Sequence, residues 1–245
     1  MKRRTSALAL FGILIAGAAP AAAHFAERTD SLWGFVSRSD VVIIGSVERS
    51  QRFEEKGHTT APGAVRLEVD ETLLGELPAA EVGILVEGMH QPRYASGERV
   101  LVFAERRNGV LRSLQSRSEK VAVSAAVDPA VGAVRRYVEI ALEPNGQRRA
   151  ERLKTLTLEL LRSPVSRLNE DAVYDLNRRV EIDSRLTKPE IGALGELALS
   201  PRSALVVREG IAAKLGALLA SGRREALEPL ERLAAAPTNP AVRVA

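Results

Sequence analysis

The chain has no cysteine and only three histidines, His24, His58 and His90, among its 245 residues. Thiol catalysis, thiolate metal sites and disulfide staples are therefore excluded, and stability must come from packing. Aromatic residues are scarce as well, with one Trp, three Tyr and five Phe. No H-E-x-x-H, G-x-S-x-G, G-x-x-x-x-G-K-S/T or calcium-loop pattern occurs. The chemistries that demand fixed spacing are thus missing, and the chain reads as a non-catalytic protein.

What is present begins with an export signal. Lys2, Arg3 and Arg4 precede the apolar run "ALALFGILIAGAAP", and Ala21, Ala22 and Ala23 follow it as a small-residue cleavage site. The run is short for a bilayer span, so residues 1–23 are expected to be removed, with Ala21 and Ala23 as the cleavage-site residues and no membrane span left behind. Without cysteine there is no lipid attachment site either. The mature chain is then expected to be secreted or periplasmic.

Charge of one sign is also absent. The formal net charge of +4 falls to +1 once the three basic residues of the signal leave. Residues 24–126 carry 13 basic and 15 acidic side chains, and residues 127–245 carry 19 and 16. Neither half has the one-sided field of a nucleic-acid binder.

The two halves differ in period, which divides the mature chain into residues 24–126 and 127–245. In "AVRLEVDETLLG", Val65, Leu67 and Val69 alternate with Arg66, Glu68 and Asp70, the pattern of a strand with one face in a core. "VVIIGSV" is apolar on both faces at its start, as a covered central strand would be. "EVGILVEG", "ERVLVFAE" and "KVAVSAA" supply further strands, and Asn108-Gly109 is a two-residue hairpin signal leading into "VLRSLQS". Leu32, Phe35 and Val36 lie at helical spacing, with Trp33 as a core residue, so a short helix is expected to plug one end of the sheet. No helical pattern in this half is long enough for a parallel crossover, so a small antiparallel barrel or sandwich is expected.

Three blocks, "SLWGFVSRSDVVIIGSVE", "VRLEVDETLLGE" and "SGERVLVFAE", resemble in order those of netrin-like modules, the OB-type barrels of tissue inhibitors of metalloproteinases and of many bacterial secreted proteins. The resemblance spans residues 30–125 and implies an OB-type barrel in a secreted protein. Inhibitors of that family chelate a protease's zinc through an amino-terminal cysteine. The corresponding mature terminus here would be His24, and the disulfides that lock such a ridge are absent, so extracellular protease inhibition is implied by the resemblance alone and not by these residues.

After "VDPAVG" the period becomes helical. Leu153, Leu156, Leu160 and Leu161 share a face, as do Val173, Leu176 and Val180, then Ile191, Leu194 and Leu197, then Val207, Ile211, Leu215 and Leu218, then Leu227, Leu230 and Leu233. Ser163-Pro164 and Ser200-Pro201 read as helix starts, and Thr187 with Glu190 as a capping box. Gly192, Gly195 and Gly216 sit inside helical patterns, where close helix packing would offset their cost. "SPVS", "SPRS" and "APTN" recur 37 and 36 residues apart, a period expected of an α-solenoid. "TNPAVRVA" resembles the loop and Val-Arg helix start of HEAT-like repeats, with Val242 and Arg243 at the matching places. The array then ends inside a repeat, as a truncated or incomplete one would. The expected fold is α+β: an OB/netrin-like barrel followed by a HEAT-like helical array.

Two sets of candidate site residues remain. His90, Arg93 and Tyr94 occupy the longest connection between strands, where polar rings and a guanidinium can make contacts. His24, if it begins the mature chain, offers its amine and its imidazole to Cu(II), and His58 or His90 could supply one more nitrogen. The leading expectation is a scaffold that binds another extracytoplasmic protein, with no cofactor and no nucleic acid; the alternative is a copper-binding protein or copper oxidoreductase. Mass spectrometry of the exported form is expected to find His24 at its start. If copper is bound there, His24→Ala loses the tight site in a copper titration, and equal binding by both proteins removes the copper reading.

Overall fold

The computed structural model describes residues 30–52, 63–77, 79–86, 92–116, 119–124 and 128–236. The chain divides into two compact units, Arg28–Pro144 and a second containing Asn145–Ala245. The junction lies past residue 126, so a helix that the sequence groups with the helical half belongs to the first unit.

That unit is a closed five-stranded barrel with helices attached. After α1 (Leu32–Arg38) come β1 (Val41–Arg52), β2 (Gly63–Leu74), β3 (Glu81–Val86), β4 (Arg99–Arg107), β5 (Val110–Ser113), a two-residue β6 (Val121–Ala122) and α2 (Pro129–Ala141). The strand order β1-β2-β3-β5-β4 closes by β4 pairing back onto β1, a topology compatible with an OB-fold. The barrel is not wholly antiparallel, because β3 and β5 run parallel through Ile84↔Leu111 and Leu85↔Arg112. β1 serves two partners. It pairs with β2 along its length and with β4 over Val41–Ser46, and three register shifts against β2 bend it around the barrel. The β4–β5 turn is the expected Asn108-Gly109 hairpin, with φ of 51° and 79° at the two residues, the left-handed pair such a turn requires.

Alternation assigns both faces of β1 and β4. Val41, Ile43, Val47, Val100, Val102 and Ala104 fill the interior with Val65, Leu67, Ile84, Val86, Tyr94 and Leu111. Val42, Ile44, Leu101 and Phe103 therefore point outward, yet none is more than 2% exposed. The helices account for this. α1 packs on β4 and on α2, with Phe35 5.4 Å from Phe103 and Trp33 5.9 Å from Tyr137 between ring centroids. The short helix thus covers the barrel's side instead of plugging its end. Each aliphatic side chain buried here contributes on the order of 2 kcal/mol by leaving water. Trp33 is a core residue, as expected. Ser31 caps α1 by accepting from the Gly34 amide, and Asp128 with Pro129 opens α2.

The second unit comprises α3 (Gly146–Leu160), α4 (Ser166–Arg178), α5 (Val180–Asp183), α6 (Lys188–Leu199), α7 (Leu205–Ala220), a 3₁₀ turn (Arg224–Ala226) and α8 (Leu227–Ala235). α4 packs on α7 and α6 on α8, so helices about one sequence period apart touch. Close approach is visible at two glycines: a Cβ on Gly195 would meet Pro229, and one on Gly210 would meet Val173. Gly192 and Gly216 face open space, so tight packing does not explain them.

Most of the expected apolar stripes are buried; Leu197 is only half-buried, with Ala198 buried beside it, and two further positions are exposed. Val180 is 76% exposed because α4 ends at Arg178 and Arg179 is extended, which breaks the period and turns Ile182 inward instead. Leu227 is 44% exposed because the 3₁₀ turn before it turns Ala226 inward, leaving Ala226, Leu230 and Leu233 as the buried stripe. Ser163 and Ser200 are not N-caps either. Their hydroxyls accept from the amides of Val165 and Arg202, making side-chain turns before helices that begin at Ser166 and Leu205. The Thr187–Glu190 capping box forms as expected.

Ion pairs tie the helices together. Lys154, almost wholly buried, donates to the Arg185 carbonyl and pairs with Glu151 at 2.6 Å and Glu190 at 2.8 Å. Arg223 donates to the carbonyls of Asp183 and Leu186. Burial alone would raise the Glu190 carboxyl, but hydrogen bonds from Lys154 and Thr187 outweigh it and hold it below its ordinary value. A depressed carboxyl stabilises the fold above its unfolded pKa, and that stabilisation disappears as pH falls through the folded one. Lys154→Met is therefore expected to cost on the order of 2 kcal/mol at about pH 7 and much less at about pH 3. Denaturant titrations at the two pH values check this, and an equal loss at both contradicts it.

Candidate functional site

The β1–β2 ladder continues to the end of the barrel through Ser50↔Val65, Gln51↔Ala64 and Arg52↔Gly63, and Gly63 also pairs with Val86 of β3. Alternation back from Leu67 and Val65 sets position 63 on the interior face, where glycine supplies no side chain. A cleft of about 380 Å³ lies there, lined by Ser50, Gln51, Gly63, Ala64, Val86, Pro92, Arg93 and Tyr94.

The wall formed by residues 92–98 is tied down at several points. Val47 donates its amide to the Glu98 carbonyl at 2.8 Å, Gly97 donates to the Val47 carbonyl at 2.7 Å, and the Ser96 hydroxyl donates to the Glu48 carbonyl. Lys120 donates to the Arg93 carbonyl at 2.8 Å and pairs with Glu98 at 2.6 Å, with its ammonium 5.8 Å from the Tyr94 ring centroid. Gly97, at φ 79°, makes the turn that brings the chain back into β4. Arg93 is left exposed at the mouth, whereas Tyr94 is buried and belongs to the barrel core. Burial pushes the Tyr94 phenol up to about 12, with the Ser113 side chain acting in the opposite sense.

Arg93 and Tyr94, expected together on a contact loop, are thus brought together at one cleft in different roles. His90, the third member of that set, lies outside the described residues, as do His24, His58, Ala21 and Ala23. Among the described residues no three histidine, aspartate or glutamate side chains form a metal-binding group, and no helix is long and apolar enough to cross a membrane. Ser50, Gln51, Ala64, Val86 and Pro92, which line the same cleft, carry no mark of a site in the sequence. The one available signal was Gly63, two positions before Val65 in an alternating strand.

Elsewhere on the barrel, exposed charges are largely engaged. Arg66 pairs with Glu48 and Glu81, Arg99 with Asp70, and Arg135 of α2 with Glu71 of β2. Buried Glu119 accepts from the amides of Asp30 and Ser116, and Gln115 binds the Glu119 carbonyl, which makes this group a brace for α1. In the helical unit, the fully buried Asp171 and Asp175 pair with Arg167 and Arg179 one turn away. Known proteins offer no further guidance: no family model and no curated sequence matches the chain.

Tyr94 ties the cleft to the core and yields a direct check. A buried phenol with a raised pKa lowers stability as pH rises from its unfolded value near 10 towards about 12. Alkaline unfolding in that window is expected to weaken in Tyr94→Phe, and identical alkaline profiles for the two proteins would place the phenol in water.

Proposed function

We propose that this chain is an exported, non-catalytic binding protein, whose barrel engages another extracytoplasmic protein at the cleft beside Arg93. The observation that carries the reading is the contrast within that wall: its backbone is pinned by Lys120, Ser96 and Gly97, while the Arg93 guanidinium stays exposed next to an open cleft. A rigid frame holding an exposed side chain lowers the ordering cost of recognition. In this reading the barrel is a netrin-like OB module, supported by the strand order and the three sequence blocks. The second unit is a short HEAT-like stack, supported by the packing of α4 on α7 and of α6 on α8. The interleaved charges of the outer strands favour a protein partner over nucleic acid.

Photo-crosslinking tests the reading in the native secretome. A crosslinker at exposed Gln51 is expected to give one discrete adduct, and the same probe at Arg107, at the end of β4 beside the β4–β5 turn, is expected to give none. No adduct from Gln51, or the same pattern from both positions, would count against a binding role for this end of the barrel.

A further inference from the structure

The chemistry of the cleft narrows its occupant. Val86, Pro92 and Tyr94 contribute apolar surface, Ser50 and Gln51 a hydroxyl and an amide, and Arg93 a positive charge. The carboxylates around it are already engaged: Glu98 with Lys120 and the Ala95 amide, and Glu48 and Glu81 with Arg66. Among the described residues none pairs with the Arg93 guanidinium. At about 380 Å³ the cleft is at the small end of the range for ligand sites, roughly 300–1,000 Å³, which suits one or two residues better than a folded surface. The guanidinium and the aromatic wall come from adjacent residues. Arg93 is exposed at the rim and Tyr94 is buried below it, so a ligand that reaches both sets its negative group at the mouth and its apolar group deeper in the cleft.

We propose that the cleft receives the C-terminal residue of an extended peptide, with its carboxylate on Arg93 and its side chain against Tyr94, Val86 and Pro92. This rests on the binding reading above and assigns the class of ligand. A guanidinium can hold both oxygens of a carboxylate at once, so orientation and affinity come from the same contact. The Ser50 hydroxyl is a side-chain group on the cleft wall able to hydrogen-bond the ligand's last peptide group.

The test uses the full mature chain and fluorescent peptides ending in Leu, Val or Phe, each as the free acid and as the amide, measured by fluorescence anisotropy. A third set carries an internal Glu and an amidated terminus. Free-acid peptides are expected to bind, and amidation is expected to weaken binding by about tenfold or more, the scale of losing a charge-assisted hydrogen bond. Arg93→Glu abolishes the preference and Arg93→Lys keeps part of it. Ser50→Phe, at an exposed position on the cleft wall, blocks every peptide while leaving the unfolding midpoint unchanged. Equal affinity for acid and amide, stronger binding of the internal-Glu set, a preference that survives in Arg93→Glu, or no binding of any peptide overturns the proposal. The Gln51 crosslink is read independently of these peptides, so a discrete adduct alongside failed peptides would sink the ligand class and leave the binding role standing.

Discussion

The closure of β1 against β4 is the interaction on which the first unit depends. It places Val42, Ile44, Leu101 and Phe103 on the outside of the barrel, where water would oppose them, and so obliges the chain to cover that side. α1 and α2 are the answer, and the scarce aromatics are concentrated where the cover is made, as Trp33, Phe35, Phe103 and Tyr137. With no disulfide to close loops, this second layer takes over the stapling role. It also explains why a helix following the barrel strands belongs to the barrel's unit and not to the helical one.

Charged side chains act mainly as ties in both units. In the helical unit Lys154 of α3 and Arg223, in the turn after α7, reach the 183–186 connection and satisfy carbonyls there that a short helix leaves open. On the barrel, Lys120 holds the wall of the cleft through one backbone carbonyl and one carboxylate. The exposed guanidinium of Arg93 stands out because so many of its counterparts are engaged.

Much of this architecture was legible in the residues themselves. Alternation in "AVRLEVD" located β2, Asn108-Gly109 located the β4–β5 hairpin, and Thr187 with Glu190 located the start of α6. Periodicity failed where the backbone broke its own rhythm, at the extended Arg179 before Val180 and at the 3₁₀ turn before Leu227. The parallel β3–β5 pair was not legible, because it follows from closing the barrel and not from any local pattern. The cleft was only half visible. Arg93 and Tyr94 could be picked out as polar residues on a long connection, but the other side of the cleft is lined by Gly63, a residue with no side chain to mark it, set there by its register with β1 and β3.

The β1–β4 pairing joins Val41 to Ala104, segments far apart along the chain. Such a contact forms slowly, since the entropy of a long intervening loop is lost before the contact returns anything. The helices of the second unit mostly meet near neighbours and can assemble stepwise. In the barrel, β1 without β4 leaves an edge unpaired and removes the strand on which α1 packs. A chain in which β4 has not yet paired with β1 therefore exposes a long strand edge, the kind of surface on which chains associate.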